Sequence, residues 1–151
     1  MIYLDANVVI AGVVHVAAEE RTARLLRLLR QTPDARVSPL AEYEARKHLY
    51  SLGEDWETDF ELLLKHSASR LPDEWSGPIL QALKIARDFK HRLAVDSADT
   101  LHVAWAVSIG ADLFASFDRN KGPRALALCL GLKVWPAPTG DDFAAMKRLK
   151  S

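Results

Sequence analysis

Short apolar, β-prone runs that stop at an acidic or helix-starting residue, and that alternate with longer helical stretches, constrain this chain more than any other feature. Ile2-Tyr3-Leu4 ends at Asp5, Arg36-Val37-Ser38 gives way to Pro39, Leu113 to Phe117 ends at Asp118, and Leu132 to Trp135 precedes Pro136. Leucines at 25, 26, 28 and 29 repeat at helical spacing within Glu19 to Gln31. Similar patterns and their stop signals predict helices over Ala6 to His15, Pro39 to Tyr50, Asp55 to His66 and Pro78 to His91. Further helices are expected over Ala98 to Ile109, Pro123 to Leu130 and Asp141 to Leu149, with Leu93-Ala94-Val95 a short extended approach. Strands separated by helices pair in parallel, so the expected class is α/β, a short parallel sheet with helices on both faces. In open sheets of that kind, sites form beyond the carboxyl ends of the strands.

A length of 151 residues suits one domain, 1–151, and no internal repeat or linker divides it. With 49% hydrophobic and 26% charged residues the chain is able to bury a core. Twenty basic and 20 acidic residues cancel, so the total charge does not announce a nucleic-acid binder, although a local basic rim is hidden in such a sum. The lone Cys129 rules out a disulfide framework or a Cys-rich zinc site; it reads as a small buried side chain in a reducing, cytoplasmic setting. The longest uncharged stretch, Ala6 to Ala18, is shorter than the ~20 residues that span a bilayer. No basic segment precedes the first apolar run, which contains Asp5, so the expectation is a soluble protein with no signal peptide and no membrane association.

The carboxylates fall where that topology places a site. Asp5 follows the first strand and Asp118 the strongest one; if those strands are neighbours, both face one crevice. Glu44 lies about a turn and a half into the helix after the second strand, and Asp96 and Asp99 sit three residues apart at the start of another. Gathered together, such groups repel strongly at low dielectric. A hard divalent cation, bound by carboxylate oxygens, water and phosphate oxygens, relieves the conflict. Each residue also has an ordinary role: Asp5, Asp96 and Asp118 suit helix N-caps, and Glu44 is within i,i+3 reach of Lys47. Asp99 is hardest to explain that way, because Leu101, Val103, Ala104 and Trp105 mark its helix as largely buried, and a buried charge needs a partner. On the residues alone the two readings balance.

Four segments in order shift that balance. Tyr3-Leu4-Asp5-Ala6-Asn7-Val8, then Val37-Ser38-Pro39-Leu40 with Glu44 six residues after the serine, then Asp99-Thr100-Leu101-His102-Val103-Ala104, then Leu113 to Asp118 with Ser116 two before the aspartate, together resemble the motifs of the PIN domain family. The resemblance runs from residue 3 to about 136. It implies a three-layer α/β/α PIN-like fold and a metal-dependent ribonuclease, most often the VapC-type toxin of a toxin–antitoxin pair. By that resemblance Asp5, Glu44, Asp99 and Asp118 are catalytic and hold Mg²⁺ or Mn²⁺, while Asn7 and Ser116 support the carboxylates by hydrogen bonding. Asp96 stands one helical turn before the third motif, where some members carry an extra acid and others do not, so it is either a cap or a further ligand. The resemblance also implies an RNA substrate, a small antitoxin partner and a homodimer.

Hydrolysis by such a site uses one ion, or two spaced ~3.5–4 Å apart, and gives a 5′-phosphate and a 3′-hydroxyl. Substrate grip requires nearby cations: Arg119 and Lys121 are best placed, followed by Arg46 and Lys47, whereas Arg21, Arg24, Arg27 and Arg30 wind around a helix as a solvated face. His102, three residues after Asp99, reads as a buried structural histidine and not a general base. Residues 55–80 match no motif of the family; the resemblance implies a helical pair there that shapes the substrate groove and dimer contacts, a use that Trp56, Phe60 and Trp75 fit, with core packing the ordinary role for most of them. A phosphatase of the haloacid dehalogenase type also opens with a strand ending in Asp, but needs a second Asp where Asn7 stands. Neither a P-loop nor a dinucleotide fingerprint occurs. The remaining alternatives are a PIN-like domain acting as an assembly module, and a general RNA-processing or DNA-directed nuclease.

Overall fold

Strands of two or three residues gain little from their own ladders and are held by the helices that link them. A computed structural model describes residues 1–151 except 15–18, 33, 54 and 119–121. Its chain divides into two units, Met1–Asp73 and Glu74–Ser151. In each, the strands pair in parallel across helical crossovers, as the α/β expectation requires.

In the first unit, β1 (Ile2–Leu4) leads into α1 (Ala6–Val13) and α2 (Glu19–Gln31), and β2 (Ala35–Val37) into α3 (Pro39–Ser51) and α4 (Glu57–His66), before β3 (Ser69–Arg70). β2 lies between β1 and β3, with Ile2 opposite Ala35 and Arg36 opposite Ser69. Side-chain caps define the helix starts: the Ala6 amide donates to Asp5 Oδ1 at 2.7 Å, and the Ala41 amide donates to Ser38 Oγ at 3.1 Å with Pro39 in the first turn. Glu57 and Asp59 open α4 while Lys65 lies in its last turn, each sign matching the helix dipole. Ile2, Leu4, Val8, Val9, Leu25 and Phe60 are among the buried apolar side chains.

α1 packs against α2 and α4 at Gly12. A Cβ placed there meets Leu63 Cδ1 at 3.2 Å and Leu25 Cδ2 at 3.3 Å, so the glycine lets three helices approach closely. Charge ties the outer elements together. Arg46 donates to Glu42 at 3.1 Å and to Glu61 at 3.0 Å, Arg70 donates to Glu42 at 2.8 Å and also to Glu61, and the Arg46 guanidinium lies 4.5 Å from the Phe60 ring centroid. β3 escapes sequence patterning because two exposed residues cannot display an alternating apolar face.

The second unit comprises α5 (Ser76–Phe89), a 3-10 turn at Lys90–Arg92, α6 (Ser97–Ser108), β4 (Leu113–Ala115), α7 (Pro123–Cys129), β5 (Lys133–Trp135) and α8 (Gly140–Lys150). α6 packs along α5, where Trp75 and Trp105 meet edge to face with centroids 4.8 Å apart. Leu113, Phe114 and Ala115 lie opposite Lys133, Val134 and Trp135. Cys129 is half-buried, with its thiol pushed up by burial. Leu93–Val95 joins no strand, and α5 ends two residues earlier than its pattern suggests because Lys90 takes a φ of 51°. β4 stops at Ala115, two residues short of expectation, which frees Ser116 and Asp118 for other bonds. Among the described residues, no helix is long and apolar enough to cross a membrane.

Arg124 and Asp142 form a buried ion pair within this unit, at 1% and 2% exposure. Burial pushes the Asp142 carboxyl up, but the Arg124 guanidinium and the Thr139 amide outweigh it and hold the group below the usual carboxylate range. A depressed folded-state value adds stability above the unfolded value of 3.8, and that stability is lost as pH falls through the folded value. Asp142→Asn leaves Arg124 buried without its counter-charge and should cost about 3 kcal/mol in urea unfolding at pH 7, with a smaller further loss between pH 4 and pH 2 than wild type shows. In the first unit, Gly12→Val should overpack the α1–α2–α4 contact and cost roughly 1–3 kcal/mol in the same assay.

Candidate functional site

β1 delivers Asp5 to the start of α1, where its side chain is only 4% exposed. Both carboxylate oxygens are engaged: Oδ1 accepts from the Ala6 amide at 2.7 Å, and Oδ2 accepts from Asn7 Nδ2 at 3.3 Å. Asn7 thus donates to Asp5, and Asp5 is also the helix cap. The cap and ligand readings are compatible, since a carboxylate oxygen has lone pairs to spare after one hydrogen bond.

Glu44 projects from α3 so that one of its carboxylate oxygens lies within 4.8 Å of one from Asp5. Two carboxylates this close, one of them buried, are anionic oxygen donors able to share a hard cation. Their charge is felt nearby. Burial pushes the Tyr3 phenol well above its usual value of 10.0; the hydrogen bond with Ser38 pulls it down, and the Asp5 and Glu44 carboxylates push it up again. Tyr3 Oη and Ser38 Oγ are 2.6 Å apart, so the same serine that caps α3 also satisfies the buried phenol. This Tyr3–Ser38 link was not anticipated; its one local sign is a serine directly after the buried strand residue Val37 and just before a proline.

In the second unit, Asp96 is the N-cap of α6 and accepts from the Asp99 amide at 2.9 Å. Asp96 is exposed and Asp99 half-buried in the first turn of the helix. His102 is 1% exposed one turn further on. Asp118 is half-buried just past β4, and its amide donates to Ser116 Oγ at 3.1 Å, so Ser116 supports the Asp118 backbone. Asp118 caps no helix: the residue before α7 is Gly122. The four expected acids thus lie as one close pair, Asp5 and Glu44, in the first unit and as Asp99 and Asp118 in the second.

Of the expected substrate-gripping cations, Arg46 is tied to Glu42 and Glu61, while Lys47 is exposed on α3. Arg119 and Lys121 lie outside the described residues. Arg124, unremarked in the sequence, is the most heavily bonded side chain near Ser116.

The PIN domain family model matches residues 2–122. No curated protein matches the sequence. Among solved structures, the chain is similar to one described as VapBC2 from Rickettsia felis bound to a DNA fragment from their promoter. The likeness has a TM-score of 0.58 at 13% identity and covers 78% of this chain and 89% of that one.

The raised Tyr3 value means that the protonated phenol is favoured in the folded state, so its contribution is complete below the unfolded value of 10.0 and is lost as pH rises above it. Tyr3→Phe should therefore flatten the alkaline limb of a stability–pH curve measured between pH 9 and pH 11. Ser38→Ala should cost roughly 1–2 kcal/mol at neutral pH through the lost cap.

Proposed function

The chain belongs to the PIN domain family and has its three-layer α/β/α fold, and on that premise we propose that it is a divalent-metal-dependent endoribonuclease, 1–151 forming one PIN-like domain. The observation that carries the reading is the approach of the Asp5 and Glu44 carboxylates to within 4.8 Å, with Asp5 buried. Structure alone gives little reason to keep two anions so close; a cation between them gives one.

In this reading Asp5, Glu44, Asp99 and Asp118 are the carboxylates that hold Mg²⁺ or Mn²⁺. The ion, when bound, supplies a nucleophile at neutral pH and charge relief on the scissile phosphate. The chain's own residues provide its geometry. Asn7 fixes the rotation of the Asp5 carboxylate through Oδ2. Ser116 fixes the backbone from which Asp118 projects. Asp96, whose Oδ1 is occupied by the Asp99 amide, sets the first turn of α6 and hence the direction of Asp99. Lys47, Arg119 and Lys121 provide the phosphate contacts. Arg46, held by Glu42 and Glu61, contributes by fixing α3 behind Glu44.

The biological setting that fits a nuclease of this family is a VapC-type toxin in the cytoplasm, acting as a homodimer and restrained by a small antitoxin. The VapBC2 likeness supports that setting through its fold. Asp5→Asn and Asp99→Asn should lower RNA cleavage by roughly 10³-fold in Mn²⁺ buffer, corresponding to about 4 kcal/mol of lost transition-state stabilisation. Folding should persist, because Asn still caps α1 at position 5 and is isosteric with the Asp99 side chain in the first turn of α6, whose cap is Asp96. Calorimetry should show weakened Mn²⁺ binding in both variants; full activity of both in metal-replete buffer sinks the assignment.

A further inference from the structure

Arg124 lies beyond residues 2–122, which the family match spans, yet it is 1% exposed and makes more hydrogen bonds than a stabilising contact requires. Its Nε donates to both oxygens of Asp142 at 3.2 Å, and Nη2 donates to Asp142 Oδ2 at 3.0 Å. Nη1 donates to the carbonyl of Ser116 at 2.7 Å. Nη2 also reaches the carbonyls of Pro136 at 2.7 Å and Ala137 at 3.2 Å. Asp142 is held in turn by the Thr139 amide at 2.8 Å and the Thr139 hydroxyl at 3.2 Å. One guanidinium plane thereby joins α7, the chain just after β4, the chain just after β5, and the first turn of α8.

The location of these bonds matters more than their number. Ser116 is held on its carbonyl side by Arg124 and, through Oγ, accepts the amide of Asp118. The peptide that carries the Asp118 carboxylate is thus fastened to a rigid planar fork two residues upstream. A buried ion pair is often no more stabilising than apolar residues of the same volume, so stability alone is a weak reason for one here. A planar five-donor group that fixes several carbonyls at once does what neither Lys nor an apolar residue can do.

We infer that the Arg124–Asp142 pair is a positioning device that sets the Asp118 carboxylate for metal binding by clamping the carbonyl of Ser116. This rests on the reading of Asp118 as a metal ligand given above. Arg124 itself touches neither substrate nor ion; it acts through the backbone. Partners that orient a metal ligand from behind affect metal affinity by about 10–100-fold when removed, which sets the size of the expected effect.

The test uses the full chain with Arg124→Gln, Arg124→Lys and Asp142→Asn. Three quantities are read in each: cooperative thermal unfolding, Mn²⁺ affinity by calorimetry, and hydrogen exchange at the Asp118 amide. Arg124→Gln and Asp142→Asn should remain folded, weaken Mn²⁺ binding by about tenfold or more, and speed exchange at Asp118. Arg124→Lys, with the charge kept and the fork lost, should fall between them and wild type. In an Asp118→Asn background, Arg124→Gln should add no further loss of Mn²⁺ affinity, because the ligand it positions is gone. A folded variant with a lower Tm but wild-type Mn²⁺ affinity overturns the inference and leaves an ordinary buried pair. If Arg124→Gln does not fold, Arg124→Lys and Asp142→Asn are judged by the same criterion. If wild type binds no Mn²⁺, the nuclease reading fails separately, and unchanged exchange at Asp118 in the variants then overturns the clamp.

Discussion

A carboxylate at 4% exposure is expensive to keep ionised, and the neighbourhood of Asp5 is organised around lowering that cost. The amide of Ala6 and the side-chain amide of Asn7 each take one of its oxygens, and α1 begins directly beneath it with the positive end of its dipole. Around the same point, Tyr3 and Ser38 satisfy each other, and Ser38 also starts α3, the helix that carries Glu44. One arrangement therefore does three things: it ends a strand, starts two helices and gathers two acids. Disturbing any one of these residues reaches the others through bonds of 3.3 Å or less.

Net neutrality takes on a different meaning once the ion pairs are placed. Arg46 and Arg70 are matched by Glu42 and Glu61 across α3, α4 and β3, and Arg124 is matched by Asp142 in the second unit. These cations hold the frame. The first group lies at the surface, where such pairs are screened and individually modest, and its value comes from being a network that links three elements. The second is buried, where geometry matters more than charge count. Total charge is thus a poor guide to whether a local basic surface exists.

Much of the architecture was legible because it rests on local signals. Asp5, Ser38, Asp96 and Thr139 each stand at a helix start and each caps it with a side-chain oxygen, as the sequence suggested for Asp5 and Asp96. The acids also stand near element boundaries: Asp5 directly follows β1, Asp118 comes three residues after β4, Glu44 lies on the helix after β2, and Asp99 lies in the first turn of α6. What the pattern could not show were features with no periodicity. β3 is two residues long. The Ser38–Tyr3 bond spans 35 positions and the Arg124–Asp142 pair spans 18, and separations of that size leave no trace in a window of neighbouring residues. A lone arginine in the apolar run of α7 was the visible sign of the latter, because a charge among alanines and leucines requires a buried partner somewhere.

The brevity of β3 has a consequence for how this chain behaves in concentrated solution. It forms the outer margin of the first unit's ladder, a place where an exposed backbone row invites strands from other molecules. Here the row is only Ser69 and Arg70, and the arginine is bound over its own molecule by Glu42 and Glu61. An incoming segment finds too little backbone to zip onto and a charged side chain fixed across the way. Resistance to runaway edge-to-edge association is thereby written into the smallest element of the structure.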